Sequence, residues 1–395
     1  MREEPIRVLQ CLGSLNVGGI ETWLMNIIRL QPEEVHFDFF LMARGGTYEN
    51  EAVSLGSHVY EASVQGLFGK SEFFGGRGSH YKKLEETLRD GQYTALHIHG
   101  DEFFGDAVKV AARVGTPVRV VHSHNTVIAR GKKGPDMFLR KLRLRTLERV
   151  RIRRYATDIV ACSSDAGRYL MGRRWERDSR CRPLYCGVPL DALKTAAERW
   201  TRDSFRDAHG IPRDAWVVGH AGSMGPSHQK NHFFLVEVFA ELAQRNPRWF
   251  LYLAGDGPHR PAIEDAVRAR GLELRVAMPG IVDNVPALMM HGFDVHLLPS
   301  LQEGLPVVGL EAVAAGLFTV CSTAITRDYT EAFPDRILAT SLSESVVHWA
   351  DCVEIAVTKR TTAAEGLVLL RNSPFSIDSS LEAMTQLYEN RLAAL

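Results

Sequence analysis

Nowhere in the 395 residues is there a run of about 18 apolar residues, the length a membrane helix needs, and the amino terminus (Met-Arg-Glu-Glu-Pro) enters a strand-like stretch without an apolar leader. Neither an integral nor a secreted protein is expected; a cytoplasmic one is, with a peripheral place on the inner face of the membrane left open. Net charge is also lacking, because 47 Lys and Arg balance 47 Asp and Glu. Bulk electrostatics therefore draws the chain toward neither nucleic acid nor lipid. Cysteine is sparse. Cys11, Cys162, Cys181, Cys186, Cys321 and Cys352 form no C-x-x-C, and several sit in apolar runs as small hydrophobes, which fits a reducing compartment. Two nucleotide fingerprints are missing as well. Gly13 to Gly19 lacks the G-x-G-x-x-G spacing, and Gly222 to Asn231 does not match G-x-x-x-x-G-K-[ST].

What is present is a soluble-type composition, 45% hydrophobic and 24% charged, on a chain too long for one ordinary core, so two domains are expected. Strand and helix patterns alternate: strands at Ile6 to Leu12, Val35 to Met42, Ala95 to His99, Val118 to His122 and Asp158 to Cys162, with helices from Ile20, near Tyr81 to Leu88 and near Gly105 to Val114. Ser163-Ser164-Asp165 reads as a helix cap. Lys194 to Arg213 turns polar and irregular, and the domain boundary is placed there. The alternation then resumes with strands at Val217 to Ala221, Phe250 to Ala254, Leu274 to Met278, Val295 to Leu298 and Phe318 to Cys321, and helices at Asn231 to Gln244, Ala262 to Arg270 and Val285 to His291. Such alternation predicts an α/β chain with parallel, doubly wound sheets. Ligands in those sheets sit beyond the carboxyl ends of the strands.

The chemistry concentrates in Pro299 to Gly316. Pro306 stands where a helix can start, because a first turn leaves its N–H groups unpaired and proline has none. Free amides and the positive end of the helix dipole suit a phosphate. Glu303 precedes this anion site, and Glu311 lies about 7 Å further along the helix axis. Carboxylates on either side of a phosphate are acceptors for sugar hydroxyls, so the stretch suggests a nucleotide-sugar. Two Glu residues eight apart also occur on ordinary surface helices. Here, however, Glu311 is set among Val307, Val308, Leu310, Val313 and Ala314, where a carboxylate needs a partner or a ligand. Gly222 to Asn231, with Lys230 at a helix start, reads as a second anion cradle, and Gly18-Gly19 allows close backbone approach to a phosphate or simply makes a tight turn.

Two strands end in H-x-H pairs, His97-His99 and His122-His124. Only Asp101 stands near them as a further ligand, so no metal is expected and core or strand-tip roles are preferred. Arg130 to Arg154 is strongly basic with an apolar side of Phe138, Leu139, Leu142, Leu144, Leu147, Val150 and Ile152. It reads either as a helix on an anionic membrane surface or as a solvated helix packed by its apolar side. It lacks the interleaved aromatics of a nucleic-acid surface. Ser376 to Leu395 carries an apolar stripe of Leu381, Met384, Leu387, Tyr388 and Leu392 that needs a surface to cover it.

Taken together, these residues resemble the retaining glycosyltransferases of family 4, whose fold is GT-B. The likeness covers nearly the whole chain and is most specific at Lys230-Asn231, Gly255-Asp256-Gly257, Asp283 to Pro286, Pro299-Ser300 and Glu303 to Glu311. It implies two Rossmann-like doubly wound domains facing across a cleft: an acceptor-side domain at 1–192, a nucleotide-sugar domain at 193–375, and a last helix, 376–395, crossing back to the first. It implies a transferase moving a sugar from a nucleotide diphosphate, most often UDP, to a saccharide or lipid-linked acceptor with retention, in polysaccharide or glycolipid biosynthesis, with no cofactor. The lack of a D-x-D sequence agrees with that fold's metal-independent handling of the leaving diphosphate. By the same likeness, His124, Lys230 and Glu303 would form the catalytic set: Lys230 on the diphosphate, Glu303 and His124 on the transferred sugar. Glu311 would hold the ribose, Gly18 and Gly19 would line the diphosphate, and Gly222, Ser223, Gly255, Asp283, Val285, Gly304, Leu305 and Pro306 would complete the donor site. The basic stretch is similar to the membrane-docking surface of many relatives. Where the family usually has Gly-Arg, this chain has Gly222-Ser223. A catalytically degenerate nucleotide-sugar-binding or scaffold subunit is the alternative, and an epimerase on the same architecture a third.

Overall fold

The computed structural model describes residues 4–30, 33–62, 77–100, 104–126, 146–225 and 228–394. Its contacts divide the chain into two units, Met1–Cys186 with Ile377–Leu395, and Gly187–Ser376. Residue 192 lies inside a helix of the second unit.

The first unit contains strands β1 (Ile6–Leu12), β2 (Val35–Leu41), β3 (Val59–Glu61), β4 (Ala95–Ile98), β5 (Val118–Ser123), β6 (Asp158–Ala161) and β7 (Cys181–Pro183), and helices α1 (Gly19–Arg29), α2 (Glu49–Ser54), α3 (Arg77–Asp90), α4 (Phe104–Val114), α5 (residues 146–155) and α6 (Ser164–Met171). The strands form one parallel sheet in the order β3-β2-β1-β4-β5-β6-β7. In the second unit come α7 (Leu190–Glu198), α8 (Arg202–Ala208), β8 (Trp216–Ala221), α9 (His232–Arg245), β9 (Trp249–Ala254), α10 (Arg260–Arg268), β10 (Val276–Gly280), α11 (Val285–Ala287), β11 (Val295–Leu298), α12 (Val307–Ala314), β12 (Phe318–Ser322), α13 (Arg327–Ala332), β13 (Ile337–Thr340), α14 (Val346–Val357) and α15 (Ala363–Arg371). This sheet is also parallel, in the order β10-β9-β8-β11-β12-β13. The last helix, α16 (Ile377–Ala393), belongs to the first unit.

Parallel strands covered on both faces need near-continuous apolar runs. β9 supplies one, Trp-Phe-Leu-Tyr-Leu-Ala, with every residue buried. Helices cover the sheets by apolar stripes of helical period. On α9, Leu235, Val236, Val238, Phe239, Leu242 and Ala243 are buried, and each large side chain so covered contributes about 1.5–3 kcal/mol. α6 starts where expected, with the Ser163 hydroxyl accepting from Ala166 N at 3.2 Å. Strand order reverses between β1 and β4 in one sheet and between β8 and β11 in the other. Loops leaving the carboxyl ends at such a point diverge to either side and open a crevice between them.

Three local expectations are corrected. Lys194 to Arg213 is not irregular: it holds parts of α7 and α8, in which Lys194, Glu198, Asp203 and Asp207 are exposed while Leu193, Ala197 and Phe205 are buried. Arg206 is buried too, matched by Asp294 at 2.7 Å and by the carbonyls of Ala215 and Gly292, so a charge that looks like loop material in the sequence is part of the core. The strand expected at Leu274 to Met278 starts at Val276, because Glu273–Arg275 makes a 3-10 turn that leaves Leu274 96% exposed. The helix expected at Val285 to His291 is capped by Asn284 but widens into a π turn over Leu288–Gly292. Of the basic stretch, residues 130–145 lie outside the described residues. Among the described residues, no helix is long and apolar enough to cross a membrane.

Candidate functional site

The crevice of the second sheet is framed by the loop after β8 and the loop after β11, and main chain and side chains tie the two together. Leu301 N donates to Gln229 O at 2.8 Å, Gln229 Nε2 to Gln302 O at 2.8 Å, and Asn231 Nδ2 to Pro299 O at 3.2 Å. His228 and Asn231 take positive φ, 51° and 57°, which turns the first loop sharply enough to deliver Lys230 to the second. Lys230 Nζ meets Glu303 Oε1 at 2.6 Å. Glu303 is buried and accepts a second hydrogen bond at the same oxygen, from Ser300 Oγ at 2.9 Å. A cation and a carboxylate 73 positions apart in sequence thus form one pair at the topological switch point.

The loop after β8 is held from behind by the turn Gly255-Asp256-Gly257. Gly222 N donates to Ala254 O and Met224 N to Asp256 O, each at 2.9 Å. At Gly255 (φ 133°) a Cβ would lie 2.1 Å from Gly222 O, and at Gly257 (φ 153°) 2.5 Å from Met224 O, so these two positions admit only glycine. Ser223 is exposed on this loop.

Pro306 precedes α12 as its cap. The amides of Gly309 and Leu310 close onto Pro306 O and that of Val307 onto Leu305 O, so fewer amides face outward than at an uncapped helix start. Gly304 and Leu305 line this approach, half-buried. Glu311 follows within α12, next to buried Leu310, Ala312, Val313 and Ala314, and burial pushes its carboxyl up to about 7. Asp283, exposed on the loop after β10, and Val285, half-buried at the start of α11, stand at the sheet edge two strands from β8.

In the first unit, Gly18 caps α1 and Gly19 begins it, after the loop from β1. The four histidines of β4, β5 and their ends form a single cluster. His122 Nε2 faces the carbonyl of Leu184 at 3.1 Å and must donate, so its Nδ1 accepts from His97 Nε2 at 3.3 Å, and His97 Nδ1 in turn accepts from Tyr388 Oη at 2.6 Å. By the same logic His99 donates through Nε2 to Gln10 Oε1 at 2.7 Å, His124 Nε2 donates to His99 Nδ1 at 3.0 Å, and the Cys186 thiol meets His124 Nδ1 at 3.6 Å. Burial holds all four rings neutral, His124 down to about 3 and the others well below the usual histidine range. Ligand atoms of His97, His99 and His122, and those of His122, His124 and Cys186, lie within 4.8 Å of one another, which makes them candidates for a soft divalent metal. Each of these histidine nitrogens already has a partner within the chain. His124, Gly18 and Gly19 therefore stand in the first unit, and Lys230, Glu303 and Glu311 in the second.

The sequence matches two family profiles. The family profile described as Glycosyltransferase Family 4 covers residues 17–192, and that described as Glycosyl transferases group 1 covers residues 215–351. EpsF of Bacillus subtilis (strain 168), assigned to the glycosyltransferases by its name, is 34% identical over 357 residues, 89% of this chain and 88% of that one. This chain belongs to glycosyltransferase family 4. A second relative of this glycosyltransferase, the Escherichia coli UDP-Gal:alpha-D-GlcNAc-diphosphoundecaprenol alpha-1,3-galactosyltransferase, is 23% identical over 242 residues, 60% of each chain. Among solved structures, Anabaena Alr3699/HepE in complex with UDP and glucose superposes with a TM-score of 0.75 at 18% identity, over 99% of this chain and 100% of that one. The glycosyltransferase thus has the GT-B fold, with two parallel α/β sheets.

Sequence reasoning missed several residues that build these surroundings. Ser300, within the quoted Pro299-Ser300 pair, and Gln229, next to Lys230, bond to Glu303 and to Gln302, which nothing in their spacing signals. Gln10, Cys186 and Tyr388 join the histidines from three other parts of the chain.

Proposed function

We propose that this glycosyltransferase moves a sugar from a UDP-sugar to a saccharide or lipid-linked acceptor, with retention and without a metal ion, in polysaccharide or glycolipid assembly. The observation that carries the reading is the Lys230–Glu303 pair at the β8/β11 switch point, ahead of the α12 amino terminus. A cation and helix amides suit a diphosphate, and carboxylates beside them suit sugar hydroxyls. The second unit is the donor side: Lys230 and the outward amides near Gly304, Leu305 and Pro306 receive the diphosphate, Glu303 the transferred sugar and Glu311 the ribose. Gly222, Ser223, Gly255, Asp283 and Val285 complete the donor surroundings. The first unit is the acceptor side, with Gly18, Gly19 and His124 as its contributors to the reaction.

In the step itself, the bond from the anomeric carbon to the β-phosphate oxygen breaks as the acceptor hydroxyl oxygen bonds to that carbon from the same face. The departing diphosphate oxygen takes the hydroxyl proton. Lys230 stabilises charge growing on the leaving group, which is where a fixed cation lowers the barrier most. The E. coli relative acts, by its name, on a lipid diphosphate, and on α5 Leu147 and Val150 are each 46% exposed. Both support a lipid-linked acceptor met at the inner face of an anionic membrane.

Incubation with a panel of nucleotide-sugars and lipid-linked acceptors, scored by nucleotide diphosphate release, tests the reading. Glu303→Ala and Lys230→Ala are each expected to lower transfer at least about tenfold, or about 1.4 kcal/mol; unchanged kinetics in both would remove the site. Ser223, in the place of the family's usual arginine, favours a second reading as a nucleotide-sugar-binding subunit, which predicts UDP binding with no release of product.

A further inference from the structure

Among the described residues, both side-chain hydrogen bonds to the Glu303 carboxylate fall on one oxygen. Oε1 takes Lys230 Nζ at 2.6 Å and Ser300 Oγ at 2.9 Å. The two donors differ in freedom. Lys230 is a long, partly exposed cation, whereas Ser300 is fully buried and its own carbonyl is held by Ser322 Oγ from the end of β12. The Glu303 backbone is bridged to Ile325 on the loop that follows β12. Ser300, Glu303 and the end of β12 therefore form one fixed block, and Lys230 reaches into it from the neighbouring loop. On the reading above, on which this inference rests, an arriving diphosphate draws Lys230 toward its own oxygens. A carboxylate held by one long cation would then be left to turn about its last torsion, which is broad and shallow. Ser300 is the donor that stays.

We propose that Ser300 is a positioning residue for the transfer reaction: it pins Oε1 of Glu303 so that Oε2 remains presented to a hydroxyl of the transferred sugar after Lys230 has engaged the diphosphate. The serine acts through Glu303 and has no role toward the nucleotide. Binding of UDP, which carries no transferred sugar, should therefore be indifferent to it.

The test uses the full-length protein with four variants: Ser300→Ala, Ser300→Thr, Glu303→Ala and Ser300→Ala combined with Glu303→Ala. Ser300→Ala is expected to lower kcat for transfer about tenfold, the order expected for a lost hydrogen bond to a charged group, with UDP affinity unchanged. Ser300→Thr, which keeps the hydroxyl, restores most of the rate. In the Glu303→Ala background the same serine change costs nothing further, because the two act as a unit. Three outcomes would overturn the proposal: UDP affinity falling together with kcat in Ser300→Ala, which marks a structural role; full kcat in Ser300→Ala while Glu303→Ala is impaired; or additive losses in the double variant. Unimpaired transfer by Glu303→Ala alone would instead remove the Glu303 assignment, and the serine's role with it. Should Ser300→Ala not fold, Ser300→Cys supplies the same readings with a weak donor of similar size.

Discussion

Glu311 is the residue whose environment makes the most specific demand. An ionised carboxylate with apolar neighbours is costly, and burial raises its group from 4.5 to about 7. The sign of the linkage follows. The folded state holds the proton more tightly than the unfolded one, so the destabilisation is fully present above about pH 7, shrinks as pH falls, and is gone below the unfolded value of 4.5. Glu311→Gln should thus raise the melting temperature of the ligand-free protein near pH 8, with the gain shrinking as pH falls and vanishing below about pH 4.5. Nucleotide binding should move the other way. Ribose hydroxyls donate to the ionised form, so UDP affinity of the parent should rise through about pH 7, while the glutamine variant binds weakly and without that rise. Calorimetry at several pH values reads both; a variant that binds UDP as well as the parent would remove Glu311 from the ribose.

Elements show what sequence reading reaches and where it stops. The alternation of apolar runs with amphipathic stretches is visible because parallel strands buried on both faces and helices with one buried stripe leave different periods. Lys230 and Glu303 stand out in the sequence for a related reason, since each adjoins a helix start or a strand end, positions that Gly and Pro mark; Glu311, inside α12, stands out only by its apolar neighbours. Helix α16 is half legible. Its stripe of Met384, Leu387 and Tyr388 announces a buried face, and all three are buried. Nothing local says that Tyr388 meets His97, 291 positions away, because that pairing depends on the packing of the whole unit. Arg206 and Asp294, 88 positions apart, were hidden in the same way. Tyr388 donates to His97 Nδ1, so Tyr388→Phe takes a donor from a buried acceptor and should cost about 1–3 kcal/mol. Thermal melts check this, and no loss would mean that α16 is held by its apolar stripe alone. The histidines add a pH signature opposite to that of Glu311. They stay neutral when folded and take up protons when unfolded, so stability of the first unit should fall as pH drops below about 6.5.

At the scale of the whole molecule, the two units differ in how their chain is laid out. The second, Gly187–Ser376, is one continuous segment with its own sheet and its own core, in which Trp249, Phe239, Leu251, Leu297 and Trp349 are fully or almost fully buried. The first is discontinuous, completed only when α16 returns to it. Lys230, Glu303 and Glu311 all lie in the continuous unit, so the nucleotide-binding part of the proposed reaction should be separable from transfer. A fragment of residues 187–376 is expected to melt cooperatively and to bind UDP, stabilised in proportion to RT ln(1 + [UDP]/Kd), yet to release no product from a UDP-sugar. Its affinity deficit relative to the full chain would measure what Gly18 and Gly19 add. A chain ending at residue 376 should behave oppositely, because it lacks Met384, Leu387 and Tyr388 and leaves the covered face of the first unit in water. Its first unit should melt lower while the second keeps its UDP-dependent transition. A folded 187–376 fragment that fails to bind UDP would move the donor site out of this unit, and Lys230, Glu303 and Glu311 would then have to be read as structural.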